Sequence, residues 1–279
     1  MKIRISLVHY LNSAPLGWAF IHGPFREAFE VFPSSPALCA DQLAKGEVEI
    51  GLIPSIEYQR IPGLRIIPDV SISSLAEVRS ILLVKPKGKK QIHSVALDIS
   101  SRTSVALTKI LLHQKFGIHP EFVTHPPDLH AMLDQCDAAL LIGDAALKVS
   151  LADYETLDLA GEWAQWQQKP FVCAFWACRS DFPVPNDLNS IFLKAKAWGL
   201  ERRDEIAEIY AKTLNLPARF LENYLEKNIN FDLGADHIRG VEAFYRLAKQ
   251  LDLIPEMAPL EFLPPGSTFR DSGPCSSSS

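Results

Sequence analysis

The sequence predicts an α/β protein built from two lobes, with a discontinuous first lobe and a helical segment near its C-terminal end. Three observations predict this fold class. Short apolar, β-prone runs alternate with segments of helical periodicity from the start of the chain to about residue 170. Residues 86–90, rich in Pro, Gly and Lys, divide this part into two α/β blocks. From residue 186 onward, the apolar residues recur only at helical spacing.

The composition is that of a globular protein and argues against several classes of function. The chain has 279 residues, of which 47% are hydrophobic, so it can bury a full core. The net charge of −5 argues against nucleic acid or an anionic membrane surface as a partner. No apolar run approaches the roughly 18 residues of a membrane span, and the N-terminal run lacks the features of a signal peptide. We therefore expect a cytoplasmic protein.

The cysteines and histidines give no sign of a metal or redox site. The five cysteines are scattered, and the spacing of Cys173 and Cys178 fits neither a zinc site nor a redox pair. His125 and His130 lie close in sequence, but the prolines between them break the element that would have to present them. We expect reduced, buried thiols and no metal.

The first block contains alternating predicted strands and helices. Strands are predicted at residues 3–9, 29–32, 48–53 and 79–84, and helices near residues 16–22 and 39–45. The second of these helices stops at Gly46, as expected of a helix C-terminus. Because strands and helices alternate, we predict a parallel sheet with helices on its faces.

The second block begins with residues 94–117, SVALDISSRTSVALTKILLHQKFG. This segment predicts a strand at residues 95–99, a loop of small hydroxyl residues, and a helix that ends at Gly117. Backbone N–H groups at a helix start carry a partial positive charge, so such a loop can bind a carboxylate or phosphate. A simple helix cap would also use one of these hydroxyls, and the loop alone leaves both interpretations open. Further strands are predicted at residues 122–124 and 138–142.

Two apolar runs are predicted to carry the chain between the blocks. Residues 79–84 leave the first block, and residues 171–177 return from the second. Two crossings of this kind are typical of hinged proteins that close over a ligand. The predicted boundaries are residues 1–85 plus 171–260 for the first lobe, 86–170 for the second, and 264–279 for a disordered tail rich in Pro, Gly and Ser.

Small polar loops follow four of the predicted strands. They begin at Tyr10, Pro54, Ser100 and Gly143, and a predicted helix start follows each of them. In open α/β sheets, ligands bind outside the carboxyl ends of the strands. We therefore expect the four loops to converge on one small polar ligand between the lobes.

These loops carry the motifs YLNS from Tyr10, GLIPSIEY from Gly51, LDISSRTSVAL from Leu97 and AALLIGDAAL from Ala138. Together, and over nearly the whole chain up to about residue 259, they resemble the chorismate dehydratases of the futalosine route to menaquinone, although each motif alone is weak. The resemblance implies a periplasmic-binding-protein-like type II fold, the Venus flytrap. That fold agrees with the two lobes and two hinge crossings predicted above.

The reaction that the resemblance implies is the loss of water from chorismate, giving 3-[(1-carboxyvinyl)oxy]benzoate. The hydroxyl leaves C4 and a proton leaves C3, and no cofactor is needed because the ring becomes aromatic. The substrate carries two carboxylates, which two different hydroxyl loops can hold. Chorismate is thus the expected partner, with no nucleic acid and no membrane, and the oligomeric state stays open.

The resemblance assigns roles to particular residues. Asn12 is expected to be catalytic, as a donor to the leaving hydroxyl; the alternative is an N-cap of the following helix. The residues expected to bind substrate are Ser55, Ser80, Ser100, Ser101, Arg102, Thr103, Ser104, Gly143 and Asp144. Within this set, Ser101, Thr103 and Ser104 are assigned to a substrate carboxylate.

Three assignments keep alternatives. Arg102 either holds a carboxylate in bidentate fashion or pairs with Asp98. Asp144 would repel a dianion, so it is expected to cap its helix or to accept from a substrate hydroxyl. The proton acceptor is open among His9, Glu57 and the enolpyruvyl carboxylate of the substrate itself.

Two other functions are compatible with this fold. One is the related dihydroxynaphthoate-forming enzyme of the same pathway, whose N-terminal pattern is not apparent in this sequence. The other is a non-catalytic protein that binds small anions. Such a protein predicts a signal peptide, a lipoprotein cysteine or DNA-binding helices, and the sequence shows none of these.

Overall fold

The computed structural model describes residues 2–264, which form two α/β lobes around two five-stranded sheets. In spatial order, the first sheet contains β2 (Phe29–Ser34), β1 (Ile3–Val8), β3 (Ile50–Pro54), β10 (Phe171–Arg179) and β4 (Leu64–Ser74). The second contains β7 (Glu121–His125), β6 (Ser94–Asp98), β8 (Ala138–Ile142), β5 (Ile81–Pro86) and β9 (Tyr154–Asp158). The two-lobed α/β architecture is therefore confirmed. The disordered tail predicted for residues 264–279 lies outside the described residues, apart from Pro264.

Helices cover the faces of both sheets. The α-helices of the described chain are α1 (Ala14–Ile21), α2 (Pro36–Ala44), α3 (Thr103–Ile110), α4 (Leu129–Gln135), α5 (Gly143–Leu147), α6 (Leu159–Gln167), α7 (Leu188–Leu200), α8 (Arg203–Leu214), α9 (Ala218–Lys227) and α10 (Ala235–Gln250). Short 3-10 helices, Leu11–Ser13 and Ser55–Gln59, follow β1 and β3. The last four α-helices are the predicted helical segment, and they bury their apolar stripes in a hydrophobic core that contains residues of both lobes.

Each sheet is mixed, which corrects the prediction of a parallel sheet. β1 pairs in parallel with β2 and β3, and β6 pairs in parallel with β7 and β8. In contrast, β10 is antiparallel to β3 and β4, and β5 is antiparallel to β8 and β9. Each antiparallel strand is the first strand after a crossing between the lobes. An apolar run shows that a strand is buried, but it does not show the direction of that strand.

The chain crosses between the sheets before β5 and before β10. The run predicted at residues 79–84 forms β5, which pairs only with strands of the second sheet, so the crossing itself occupies residues 75–80. The return crossing lies between α6 and β10. Asp158 joins the first crossing to the start of α6: its carboxylate accepts from the N–H groups of Val78 (3.2 Å) and Arg79 (2.6 Å), and from Gly161 (2.9 Å) in α6.

Two edge strands, β4 and β9, were not predicted from the sequence. β4 contains Pro68, and Asp69 has a positive φ of 65°, so the strand lacks regular alternation. β9 has mostly half-buried residues and lies at the edge of the second sheet. The central strand β8, by comparison, is buried at all five positions, which is why its apolar run was recognisable.

Candidate active site

The four polar loops meet in one cleft between the lobes. β1 and β3 of the first lobe, and β6 and β8 of the second, end at this cleft, which contains a cavity of about 50 Å³. The predicted residues that line the cavity are Asn12, Ser80, Ser101, Arg102, Thr103, Ser104 and Gly143. The predicted residues outside its lining are Ser55, Ser100 and Asp144. The structure thus brings the loops together as expected and divides the predicted residues into two groups.

Asn12 lies on the short helix Leu11–Ser13, directly after β1, and its half-buried side chain lines the cleft. The N-cap residue of α1 is Ser13, and neither this helix nor α1 has a side-chain cap. The Ser13 hydroxyl donates to Asn12 Oδ1 at a long 3.4 Å. Asn12 is therefore not a helix cap, and it lines the space that a ligand would fill.

The hydroxyl loop of the second lobe leads into the first turn of α3. Ser101, Thr103 and Ser104 are buried and line the cleft. Because α3 begins at Thr103, its first N–H groups add a partial positive charge at the same place. Thr103 Oγ1 also accepts from the N–H of Ile56 in the first lobe at 3.3 Å. The loop can hold an anionic oxygen while it contacts the opposite lobe.

Ser100 stabilises this loop through hydrogen bonds to other protein groups. Its N–H (2.9 Å) and its hydroxyl (2.6 Å) both donate to Asp98 Oδ1. Its carbonyl accepts from the N–H of Ala37 in the first lobe at 3.1 Å. Burial raises the pKa of Asp98, and the bonds from Ser100 oppose that rise. Ser100 is thus occupied by protein contacts and lies outside the cavity lining, and its contact with substrate stays a prediction.

Arg102 does not pair with Asp98, which was one of the two contacts predicted for it. Its guanidinium donates to Glu57 Oε2 at 2.6 Å and to Asp41 Oδ1 at 2.7 Å, both in the first lobe. The Glu57 side chain is only 3% exposed, so this ion pair is largely withdrawn from water. Asp98 is occupied by Ser100 instead. Because both ends of its guanidinium pair with carboxylates of the first lobe, Arg102 is not free to bind a substrate carboxylate in this arrangement.

Ser55 and Ser80, both expected to bind substrate, differ in their position relative to the cavity. The Ser55 hydroxyl donates to the carbonyl of Val172 at 2.8 Å and lies 3.4 Å from Thr103 Oγ1, outside the cavity lining. Ser80 does line the cavity, and its carbonyl accepts from the N–H of Gly143 at 2.9 Å. Only Ser80 is therefore placed to contact a ligand.

Gly143 and Asp144 open α5 and contact the first lobe. Gly143 has a φ of +55°, and a Cβ built there would lie 2.5 Å from the ring of Tyr10, so only glycine fits without strain. Asp144 caps no helix of its own lobe; its Oδ1 accepts from the N–H of Leu11, next to Asn12, at 2.9 Å. Burial raises the pKa of Asp144, and this hydrogen bond opposes the rise. The predicted cap of α5 is therefore absent, and Asp144 Oδ1 forms a contact between the lobes instead.

The two protein candidates for the proton acceptor are poorly placed. His9 is exposed and outside the cavity lining, and its Nδ1 lies 2.8 Å from the carbonyl of Ser34. Glu57 is buried and engaged by two guanidinium groups, those of Arg102 and of Arg60 at 2.8 Å. Neither side chain offers a free base to the cleft in this closed arrangement.

Sequence reasoning missed three residues of the site. Tyr10, which belongs to the first motif, lines the cleft and lies 3.1 Å from the Ser100 hydroxyl. Cys173 of β10 also lines it; burial raises the pKa of this thiol to about 12, so it stays protonated. Tyr224 of α9 contacts Ser80 from behind the cleft wall. Only Tyr10 had a signal in the sequence, because the other two lie in apolar runs typical of core.

The cleft is nearly neutral. Among the described residues, Arg102 is the only charged one in the cavity lining, and two carboxylates pair with it. Residues 2–264 contain no group of three or more His, Cys, Asp or Glu side chains arranged to hold a metal ion. Over the same range, no helix is long and apolar enough to cross a membrane.

Solved structures place the fold in the class of periplasmic-binding-protein-like α/β proteins. The structure superposes on a crystallised protein from Archaeoglobus fulgidus with a TM-score of 0.74 and 21% identity, covering 91% of this chain and 98% of that one. It superposes on the periplasmic aliphatic sulphonate binding protein of Escherichia coli with a TM-score of 0.58 and 16% identity, covering 98% and 97%. At these identities the likeness shows the fold alone, and it confirms the predicted fold class.

The chain belongs to the menaquinone biosynthesis family, whose profile matches residues 3–250. It is 33% identical over 258 residues to the chorismate dehydratase of Thermus thermophilus, covering 86% of this chain and 93% of that relative. It is 25% identical over 251 residues to the chorismate dehydratase of Campylobacter jejuni, covering 88% and 97%. The resemblance found in the four motifs is therefore confirmed.

Proposed function

We propose that the protein is a chorismate dehydratase, which converts chorismate to 3-[(1-carboxyvinyl)oxy]benzoate for menaquinone biosynthesis by the futalosine route. One observation carries the proposal: the motifs that match the family meet in a single cleft, with the Asn12 amide and the hydroxyls of the Ser101–Ser104 loop on its wall. The two relatives named chorismate dehydratase, which match over most of their length, support it.

The dianionic substrate is held mainly by neutral donors. Ser101, Thr103 and Ser104 offer three hydroxyls beside the start of α3, where the first N–H groups carry partial positive charge. Hydrogen bonds to an ionised oxygen are roughly twice as strong as bonds between neutral groups. Since Arg102 is already paired with Glu57, one substrate carboxylate is anchored by this loop without a new ion pair.

The chemistry needs a donor at the leaving hydroxyl. The C3–H and C4–O bonds break, the electrons of the C3–H bond complete the aromatic ring, and the proton and hydroxide leave as water. The amide of Asn12, which lines the cleft, donates to the C4 oxygen as charge develops there. A neutral donor suits this place because a carboxylate would repel the dianion.

The proton goes first to the substrate's own enolpyruvyl carboxylate, which then passes it to the departing hydroxide, so that water leaves and the carboxylate is regenerated. This assignment follows from the placement of the protein candidates, because His9 lies outside the cavity lining and Glu57 is held by two arginines. The carboxylate is tethered to C3 through the ether, so a closed cleft that fixes its rotation brings base and proton together at high effective concentration.

The test is turnover of chorismate by the purified protein. We expect loss of one water with no added cofactor and no effect of a metal chelator. Binding of chorismate without turnover would favour the anion-binding alternative. Turnover of the later dihydroxynaphthoate precursor, with none of chorismate, would favour the related pathway enzyme; either result would overturn the proposal.

The proposal also places the reaction in the cytoplasm. The four cysteines of the described chain are free thiols, and three of them are buried. Such free thiols suit a reducing compartment.

A further inference from the structure

Tyr224 connects the helical segment of the first lobe to the cleft. It lies on α9 and is 1% exposed, with its hydroxyl 2.7 Å from Ser80 Oγ. Ser80 is equally buried, lies at the end of the first crossing and lines the cavity. A core tyrosine therefore contacts a cleft residue through one side-chain hydrogen bond.

The hydrogen in this bond belongs to Tyr224. Within residues 2–264 the phenol makes no other hydrogen bond, so if Ser80 were the donor, the phenol hydrogen would be buried without an acceptor, which is costly. Burial raises the pKa of Tyr224 far above its ordinary value, so the phenol keeps its proton. Ser80 Oγ is thus the acceptor.

The Ser80 hydroxyl hydrogen is then left for the cleft. A serine hydroxyl has one hydrogen to donate. The described structure gives the Ser80 hydroxyl no protein acceptor, and its oxygen already receives the Tyr224 hydrogen. A ligand that lies against Ser80 therefore meets a donor, and an acceptor oxygen such as a carboxylate, ether or hydroxyl oxygen is favoured over an N–H group at that point.

We propose that Tyr224 is a positioning residue that fixes the Ser80 hydroxyl as a donor to a substrate oxygen. The inference rests on the proposed function for the identity of the substrate. A donor held in orientation by a buried partner does not have to reorganise when the substrate binds, and this is the property that makes preorganised donors effective in enzyme sites. Tyr224 acts through Ser80, so removing its hydroxyl should matter only while Ser80 is present.

The experiment compares Tyr224→Phe, Ser80→Ala and the double variant in the chorismate assay. Tyr224→Phe keeps the ring and should lower kcat/KM by roughly two- to tenfold, the size expected for the loss of one hydrogen bond between neutral groups. Ser80→Ala should lose at least as much, and the double variant no more than Ser80→Ala alone.

Tyr58→Phe is the matched control: Tyr58 is 6% exposed, and its hydroxyl bonds to Pro259 O (3.1 Å) and Glu261 N (2.8 Å), outside the cavity lining. Its kcat/KM should not change, although its melting temperature should fall.

Wild-type kcat/KM in Tyr224→Phe, or losses that add in the double variant, would overturn the inference. A second measurement needs no substrate. Neutron diffraction from the deuterated protein locates the deuteron between the two oxygens, and we expect it on Tyr224; a deuteron on Ser80 that points at Tyr224 would refute the proposal. If wild-type protein does not dehydrate chorismate, the proposed function fails, while the neutron map still decides the Tyr224–Ser80 orientation.

Discussion

The two lobes share one strand order but present different chemistry at corresponding strand ends. β1, β2, β3, β4 and β10 occupy in the first sheet the positions of β6, β7, β8, β9 and β5 in the second. After β1, the chain forms a short helix and presents the amide of Asn12. After the matching β6, it forms a loop that presents hydroxyls at the start of α3. The common backbone plan sets where polar groups converge, and the local sequence sets their chemistry.

This difference supports a division of labour, in which the second lobe anchors the substrate and the first lobe acts on the leaving group. The lobes are joined at both sites: Arg102, within the anchoring loop, pairs with Glu57, and Asp144 accepts from Leu11, beside Asn12. We therefore expect closure to order Asn12 and the proposed anchoring loop together, as in enzymes that complete their site on closing.

The largest effect is expected from the first lobe. Asn12→Ala should retain most of the affinity for product, because the carboxylates are held by other loops, and should lower turnover by roughly a hundredfold or more, as for the loss of one preorganised donor. Asn12→Asp should be worse still, since it adds a negative charge. The measurement is kcat from chorismate alongside product affinity. If Asn12→Ala dehydrated chorismate at the wild-type rate, Asn12 would not act on the leaving group, and the catalytic role would move to His9 or Glu57.

A smaller effect, on binding, is expected from the second lobe. The double change Thr103→Val and Ser104→Ala removes two hydroxyls from the anchor and should weaken product binding at least about tenfold, since each hydrogen bond to a charged group contributes roughly 1.5–3 kcal/mol. Calorimetric titration gives the affinity. Ser94→Ala, at the far end of β6, is the control and should bind normally. Unchanged affinity in the double variant would place the carboxylate elsewhere.

The contact between the lobes should give a moderate effect. Glu57→Gln removes the buried charge that Arg102 meets, so the closed form should be destabilised and product affinity should fall several-fold. Solution scattering should show compaction when wild-type protein binds product, and less compaction in the variant. Glu49→Gln, which breaks the pair with Arg4 inside the first lobe, should compact as the wild type does. Equal compaction in all three proteins would show that the ion pair between Arg102 and Glu57 does not contribute to closure.

The smallest effect concerns the pH dependence of stability. Asn at position 144 keeps an oxygen acceptor for Leu11 but carries no charge. Because burial raises the pKa of Asp144 in the folded protein, the folded state binds this proton more tightly than the unfolded chain. Wild-type protein should therefore gain unfolding free energy relative to Asp144→Asn as the pH falls through the raised pKa, and the gain should be complete below the ordinary pKa of 3.8. Denaturant unfolding of both proteins at neutral and acidic pH measures this; a difference independent of pH would contradict it.

Much of the fold could be predicted because its strands are short apolar runs ended by polar loops. Residues 94–115 form β6, a hydroxyl loop and α3, close to the prediction, except that the helix ends in a π-helical turn at Leu111–Lys115. The direction of β5 and β10 could not be predicted, because strand pairing across a crossing depends on distant residues. β9 was missed because its half-buried edge position weakens the apolar pattern, and β4 was missed because Pro68 and Asp69 interrupt its alternation.

Prediction of the candidate site was limited in the same way, by contacts between residues that are distant in sequence. The cleft positions of Asn12, Ser101 and Ser104 follow from their place at strand ends, which the sequence displays. The partners of Arg102 lie 45 and 61 residues away, and Ser80 and Tyr224 are 144 residues apart. A local pattern carries no information about such contacts, so they became visible only once the chain was folded.

The most direct test of the division between lobes is a crystal structure of the protein with bound 3-[(1-carboxyvinyl)oxy]benzoate. We predict one product carboxylate within about 3.2 Å of donors in the Ser101–Ser104 loop, and the ring edge at C4 facing the Asn12 amide. The opposite orientation, with a carboxylate on Asn12 and the C4 edge against the hydroxyl loop, would contradict this account.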